Sequence, residues 1–445
     1  MLWNREAETL PRDQLERLQL DRLRTTIGRL LDAVGPIRER LLETGVRSAE
    51  DLTSLADVAR LPFTRKTDLR EHYPFGLFAV PREQVLRIHA SSGTRGKPII
   101  VGYTRNDLDV WSEVMARTLA MAGVEPGMVV HNAYGYGLFT GGLGFHMGAE
   151  RLGCMVVPIS GGLSQRQVMM LEDLGGQVLC CTPSYALNIA QTLAEQGIGL
   201  DRLKLKVGIF GAEPWTEAMR DAIERQLGLK ALNVYGLSEI VGPGVSAECI
   251  EARHGAHIQE DHFLVEVIDP HSGQAVGPGI EGELVFTTLT KEALPMLRYR
   301  TGDIASIDLA PCACGRTSAR MARIRGRIDD MLIIRGVNLY PSEIERVLLS
   351  LGEVAPHYQL VVERPEAMDE LTVLCEAAFE AGSEAGSEAG SEAGFKVDAE
   401  GLRRRIENAL REATGLSMLV KVLEPGGVPR SEGKAVRVVD KRGLA

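Results

Sequence analysis

From about Pro81 onward, short apolar runs alternate with stretches of helical character, and this alternation limits the available folds more than any other feature. Residues 128–130 lead into a glycine-rich turn. Residues 155–159 precede a helical stretch at 164–174, 178–181 precede 183–196, and 207–210 precede 216–227. Strand and helix in turn at this spacing predict parallel sheet with crossover helices on its faces. Ahead of this region Leu15, Leu18, Leu20, Leu23, Ile27, Leu30 and Leu31 recur at helical spacing between charges, which predicts helices within residues 11–60. Beyond about Ala256 the texture is mainly β, with strands expected at 263–268, 283–287 and 304–307 between Gly, Pro and Asp turns.

An arginine-rich stretch at 320–327 precedes a further strand–helix unit, 331–334 and 341–350. A boundary near Asp329 divides the chain into domains at 1–328 and 329–445. The expected class is α/β: a large N-terminal domain of α/β layers with parallel sheets and a β-rich subdomain, then a small α+β C-terminal domain. In the latter, strands are expected at 371–376 and 421–423 and a helix at 399–413. Its residues 380–394 contain a Gly-Ser-Glu-Ala repeat that buries too little apolar surface to offset ordering, and read as a solvated acidic loop.

Composition removes several function classes. A chain of 445 residues exceeds what one core can serve, and no apolar run is long enough to cross a bilayer. The formal charge of -10 argues against a broad nucleic-acid surface. Residues 1–9 carry charges early and show no apolar leader core. Seven irregularly spaced cysteines suit reduced thiols or a metal site, not a disulfide framework. A cytoplasmic protein is expected.

Five motifs carry chemistry. Residues 88–100 read I-H-A-S-S-G-T-R-G-K-P-I-I, with hydroxyls, glycines and cations crowded between two strand-like runs. Such a loop can cradle phosphate through close backbone N–H groups, donor hydroxyls and the point charge of Lys97. It also reads as a hairpin turn, and the strand-to-helix G-x-x-x-x-G-K-[ST] spacing is absent. Tyr235-Gly236-Leu237-Ser238-Glu239 follows apolar residues 231–234. Its carboxylate can hold a divalent cation and its aromatic ring can wall a flat ligand; a strand ending in a solvated turn has the same pattern. Tyr299-Arg300-Thr301-Gly302-Asp303 sets an aspartate after a glycine turn, suited to sugar hydroxyls and equally ordinary as a turn residue. Residues 324–331, I-R-G-R-I-D-D-M, read as a charged hinge or a solvated linker. Arg430-Ser431-Glu432-Gly433-Lys434 puts a lysine on a late glycine loop.

In this order the five elements resemble the acyl-adenylate-forming superfamily of AMP-forming ligases. Within it, the finer resemblance is to the phenylacetate–coenzyme A ligase family. It rests on S-S-G-T-x-G-K-P at 91–98, Y-G-Y-G-L-F-T-G-G-L-G at 134–144 and G-A-E-P-W at 211–215. H-F-L-V-E-V-I-D-P at 262–270 and I-I-R-G-V-N-L-Y-P-S-E-I-E at 333–345 extend it. Arg95 stands where this family usually has threonine, and the acidic repeat lies outside the pattern.

The resemblance implies ATP-dependent ligation of phenylacetate to coenzyme A through a phenylacetyl-adenylate, releasing AMP and diphosphate, in aromatic catabolism. It implies Ser91, Ser92, Gly93, Thr94, Gly96 and Lys97 around the phosphates. Ala212, Glu213 and Pro214 would edge the adenine, with Tyr235 and Gly236 against it. Asp303 would take the ribose hydroxyls, helped by Arg327, and Glu239 would hold magnesium. Lys434 would serve the first step, before the small, mobile domain turns about Asp329. Tyr134, Tyr136, Phe139, Gly141 and Gly142 fall where the family binds its aryl group; on composition alone they are also a glycine-rich turn with core packing.

Cys312 and Cys314, with Cys249 and His257, could close a tetrahedral zinc site. Their one-residue spacer is shorter than the usual paired-cysteine knuckle, and spacing alone suits free thiols; the resemblance implies a structural zinc. Cys154, Cys180, Cys181 and Cys375 are expected in apolar strands as core. A homodimer is implied by resemblance only. The alternatives are a ligase for another aryl carboxylic acid and a non-catalytic nucleotide sensor, the latter opposed by retention of Glu239 and Lys434. A dinucleotide oxidoreductase lacks its G-x-G-x-x-G at a helix start.

Overall fold

The computed structural model describes residues 1–91, 97–365, 368–378, 398–430 and 434–442. Among these residues the largest sheet has nine strands. Five of them, Val129–Asn132, Met155–Val157, Val178–Cys181, Val207–Gly211 and Lys230–Leu237, pair in parallel, as the alternating pattern predicts. The sheet then turns antiparallel through Gly242–Ala247 and Ala256–Ile258, so it is mixed and not parallel throughout. The inner strands read as continuous apolar runs because helices cover both faces; Val178–Cys181 is buried along its whole length.

The helices start where side chains satisfy the free N–H groups. Thr104 and Asp107 form a capping box at Arg105–Met121, and Asp107 also accepts from the amides of Glu292 and Ala293 at 2.7 and 3.0 Å. Thr182 caps Pro183–Glu195, whose first residue is a proline that has no N–H to satisfy.

A second sheet of four strands, Phe263–Ile268, Gly282–Thr288, Tyr299–Ala305 and Gly326–Arg327, forms the β-rich region. The third of these strands starts five residues before the expected 304, so Thr301, Gly302 and Asp303 belong to it and not to a turn. Gly302, at φ +78°, keeps the strand continuous because it alone tolerates that conformation without strain.

Residues near the C-terminus build a separate core. The antiparallel pair Val354–Glu363 and Glu370–Ala377 is flanked by Val438–Asp440 and Leu419–Leu423, each parallel to its neighbour. Helix Ala399–Thr414, capped by Asp398 and closed by the left-handed Gly415, presses Leu402, Ile406 and Leu410 into it. Each such burial contributes roughly 1.5–3 kcal/mol. The strand Val354–Glu363 was not expected from the sequence. Cys180, Cys181 and Cys375 are buried, whereas Cys154 is half-buried in the link before strand Met155–Val157, outside any strand. The Gly-Ser-Glu-Ala loop lies outside the described residues. Among those described, no helix is long and apolar enough to cross a membrane.

Candidate active site

Asp303 and Arg327 face each other in register on neighbouring antiparallel strands. Arg327 Nη1 donates to Asp303 Oδ1 at 2.6 Å, and the Tyr235 hydroxyl donates to Oδ2 at 2.7 Å. Burial pushes the Asp303 carboxyl up, and the Arg327 guanidinium pulls it back down. Arg327 also reaches Asp329 Oδ2 at 3.4 Å. A Cβ on Gly302 would come within 2.8 Å of Asp329, so this corner requires glycine twice over.

Glu239 sits in the turn after Lys230–Leu237 and is buried. Behind it, Lys291 donates to the Ile240 carbonyl at 2.9 Å and lies over the Tyr103 ring at 4.3 Å. Full burial lowers the Lys291 ammonium to about 8, partly offset by Asp107 and Glu239. The sequence reading missed Lys291; its one signal was a lysine inside the apolar stretch 289–297. Gly236 is packed so closely that a Cβ would overlap the Gly242 carbonyl.

Lys434 stands open to solvent on one side, yet crowding lowers its pKa. Glu213, Glu239 and Asp303 oppose that lowering and Arg327 adds to it, so these charges lie near enough to act on the ammonium. Val428 and Arg430 are anchored. Arg430 grips the buried Glu376 with two bonds of 2.7 and 2.8 Å, and the Val428 amide donates to the same carboxylate at 2.7 Å. Ala212 adopts φ +71°, and the following Glu213 carboxylate accepts from the amides of Ser184 and Ala435 at 2.7 and 2.8 Å. Pro214 is exposed.

Ser91 pairs through its amide with the Ile99 carbonyl at 3.0 Å, closing the base of the hairpin Arg87–Ala90 and Ile100–Tyr103. Lys97 is exposed, with its ammonium 4.9 Å from the Tyr73 ring. Ser92, Gly93, Thr94 and Gly96 lie outside the described residues. In the glycine-rich segment, Tyr134 is buried and stacks on Phe145 with centroids 4.9 Å apart. Tyr136 is half-buried, receives a bond from Asn132 at 2.8 Å and meets His146 Nδ1 at 3.2 Å. Gly142 approaches the Gly135 carbonyl too closely for a side chain, and Gly141 lies against Tyr134. Phe139 is half exposed at the N-cap of helix Thr140–Leu152.

Cys249, His257, Cys312 and Cys314 converge, with their ligand atoms all within 4.8 Å of one another. Strand pairing does this: Ala256–Ile258 lies beside Arg320–Met321, folding the Cys312-x-Cys314 turn back over His257. Three thiols and an imidazole in one cluster fit the donor set and number of a tetrahedral zinc site.

Residues 31–289 match the family model for an AMP-binding enzyme, and residues 336–442 match that for an AMP-binding enzyme C-terminal domain. Over 445 residues the chain is 53% identical to the phenylacetate-coenzyme A ligase of Thermus thermophilus, covering 99% of this chain and 100% of that one. The chain belongs to the AMP-binding enzyme family. Among AMP-binding enzymes of solved structure, 2-hydroxyisobutyryl-CoA ligase in its postadenylation state, bound to R3-HIB-AMP, is 30% identical. It superposes with a TM-score of 0.89 over 100% of this chain and 93% of that one. The same ligase with 2-HIB-AMP and CoA in the thioesterification state, at the same identity and coverage, gives 0.72.

Proposed function

We propose that the chain is an AMP-forming acid–thiol ligase that joins phenylacetate to coenzyme A in two steps within the cleft of Glu239, Asp303 and Lys434. Identity of 53% to a phenylacetate-coenzyme A ligase across nearly the whole chain carries the reading, and the convergence of those three charges supports it.

ATP enters with its phosphates over Ser91, Lys97 and the intervening Ser92, Gly93, Thr94 and Gly96. Its adenine is edged by Ala212, Glu213 and Pro214 and lies against Tyr235 and Gly236. Asp303 takes the ribose hydroxyls, and its bonds from Arg327 and Tyr235 hold its carboxylate in position. A buried carboxylate at the cleft fits magnesium, so Glu239 would hold the ion, which when bound supplies charge neutralisation at the phosphates.

In the first step an oxygen of the substrate carboxylate attacks the α-phosphorus, and the bond to the leaving diphosphate breaks. Two anions must meet, so an ammonium placed between them lowers the barrier more than it strengthens binding; Lys434 has that role. In the second step the coenzyme A sulfur attacks the acyl carbonyl, and the carbonyl–phosphate oxygen bond breaks to release AMP. The 329–445 domain turns about Asp329 between the steps, withdrawing Lys434. Better superposition on the postadenylation form than on the thioesterification form supports reading the present arrangement as that of the first step.

The aryl ring lies among Tyr134, Tyr136, Phe139, Gly141 and Gly142, where flat apolar surface meets bare backbone. Cys249, His257, Cys312 and Cys314 would hold a structural zinc, which would tie the β-rich region together. A homodimer and a cytoplasmic location complete the proposal. The deciding experiment assays a panel of carboxylic acids for AMP release with and without coenzyme A. Phenylacetate should lead the panel, with release dependent on acid. A different aromatic acid in first place would reassign the substrate, and nucleotide binding without diphosphate release would make the protein a sensor.

A further inference from the structure

We propose that the Glu213 side chain is a latch, seating the Lys434 loop against the large N-terminal part for adenylation and letting go before thioester formation. The inference rests on the two-step reading above and gives one residue a positioning role within it.

The two oxygens of this carboxylate are divided between the two halves of the molecule. Oε1 accepts from the Ser184 amide at 2.7 Å, in the first turn of Pro183–Glu195. Oε2 accepts from the Ala435 amide at 2.8 Å, one residue past Lys434. Both bonds are charge-assisted, and the first is reinforced by the positive end of that helix. The backbone carrying Glu213 is held as well: Ala212 at φ +71° turns the chain sharply after strand Val207–Gly211.

Other bonds cross the same seam but act farther from the lysine. Arg437 Nη2 donates to Ser184 Oγ at 3.2 Å, the Thr216 amide donates to Glu345 Oε1 at 3.2 Å, and Arg430 Nε donates to Gln191 Oε1 at 3.1 Å. Glu213 bonds the backbone next to the lysine itself. Its charge also leads those that favour the Lys434 ammonium against desolvation. When the small domain turns, the bond to Ser184 stays within the large part, while the bond to Ala435 must break. One side chain therefore holds the backbone beside Lys434 in place and releases with the turn.

The test separates the half-reactions. Phenylacetate-dependent diphosphate release is timed in a single turnover, and thioester formation is timed from synthetic phenylacetyl-adenylate and coenzyme A. Glu213→Gln is isosteric but presents an N–H to one of the two amides. It should slow adenylation about tenfold more than it slows thioester formation, with an unaltered melting temperature. Glu213→Asp keeps the charge but is one methylene short of spanning both amides, and should shift the ratio in the same direction by less. An unchanged ratio in both variants, equal loss in both steps, or failure of both variants to fold would overturn the latch. A wild-type protein that releases no diphosphate with phenylacetate would instead overturn the two-step reading, before any variant is compared.

Discussion

The Ala435 amide, next to Lys434, donates at 2.8 Å to the Glu213 carboxylate, whose other oxygen is tied to the Ser184 amide. The backbone beside Lys434 is thereby tied to the large N-terminal part, and the first prediction concerns that lysine.

Lys434→Ala should lower acyl-adenylate formation by about a hundredfold to a thousandfold, the range seen when one preorganised donor to a charged transition state is lost. Thioester formation from a preformed adenylate should be largely spared. Stopped-flow detection of diphosphate, set beside a thioester assay, checks both; equal losses would remove the lysine from the first step.

The pH dependence follows from the crowding of that ammonium. Desolvation lowers its pKa, so as pH rises the charge is lost below the ordinary lysine value of about 10.4. The alkaline limb of the adenylation profile should therefore lie below that value. A profile for thioester formation from preformed adenylate should lack the limb. Coincident profiles would contradict the assignment.

Asp303→Asn should weaken ATP binding by about tenfold or more, since a buried acceptor of two charge-strengthened bonds becomes partly a donor facing Arg327. Titration calorimetry with ATP reads this directly, and an unchanged affinity would take Asp303 out of the nucleotide site.

Treatment with a strong chelator, or Cys314→Ser, should remove zinc at one equivalent per chain and lower the melting temperature, with loss of the metal seen by elemental analysis. Cys249, His257, Cys312 and Cys314 already lie within 4.8 Å of one another through their ligand atoms, so loss of the ion leaves polar groups crowded without their shared partner. Purified protein with no zinc and full stability would make the cluster a set of free thiols.

The legible parts of the chain were those whose local chemistry agrees with their final surroundings. Val178–Cys181 and Val207–Gly211 are apolar along their length because helices cover both sides, and the sequence says so without help. Val354–Glu363 was illegible because Pro356, His357 and Gln359 interrupt its pattern; the strand absorbs them with a register shift between Val354 and Tyr358. Asp303 was expected after a turn because Gly302 is usually punctuation, yet here glycine serves a strand under pressure from Asp329. The Cys/His cluster has a weak local spacing and forms only when distant strands pair. The partner of Glu213 lies 222 residues away, so no local pattern could have disclosed its carboxylate as a tie across the molecule.

The grip of Arg430 on Glu376, with the Val428 amide on the same carboxylate, has a mechanical meaning. It fastens Val428 and Arg430 to the sheet of their own domain, a few residues before Lys434. In the proposed two-step cycle the C-terminal domain carries the lysine as it turns, and would cross solvent twice in each round. Turnover should consequently feel the drag of the medium: thickening the buffer with an inert viscogen should slow the complete cycle while leaving a single adenylation from the seated state untouched.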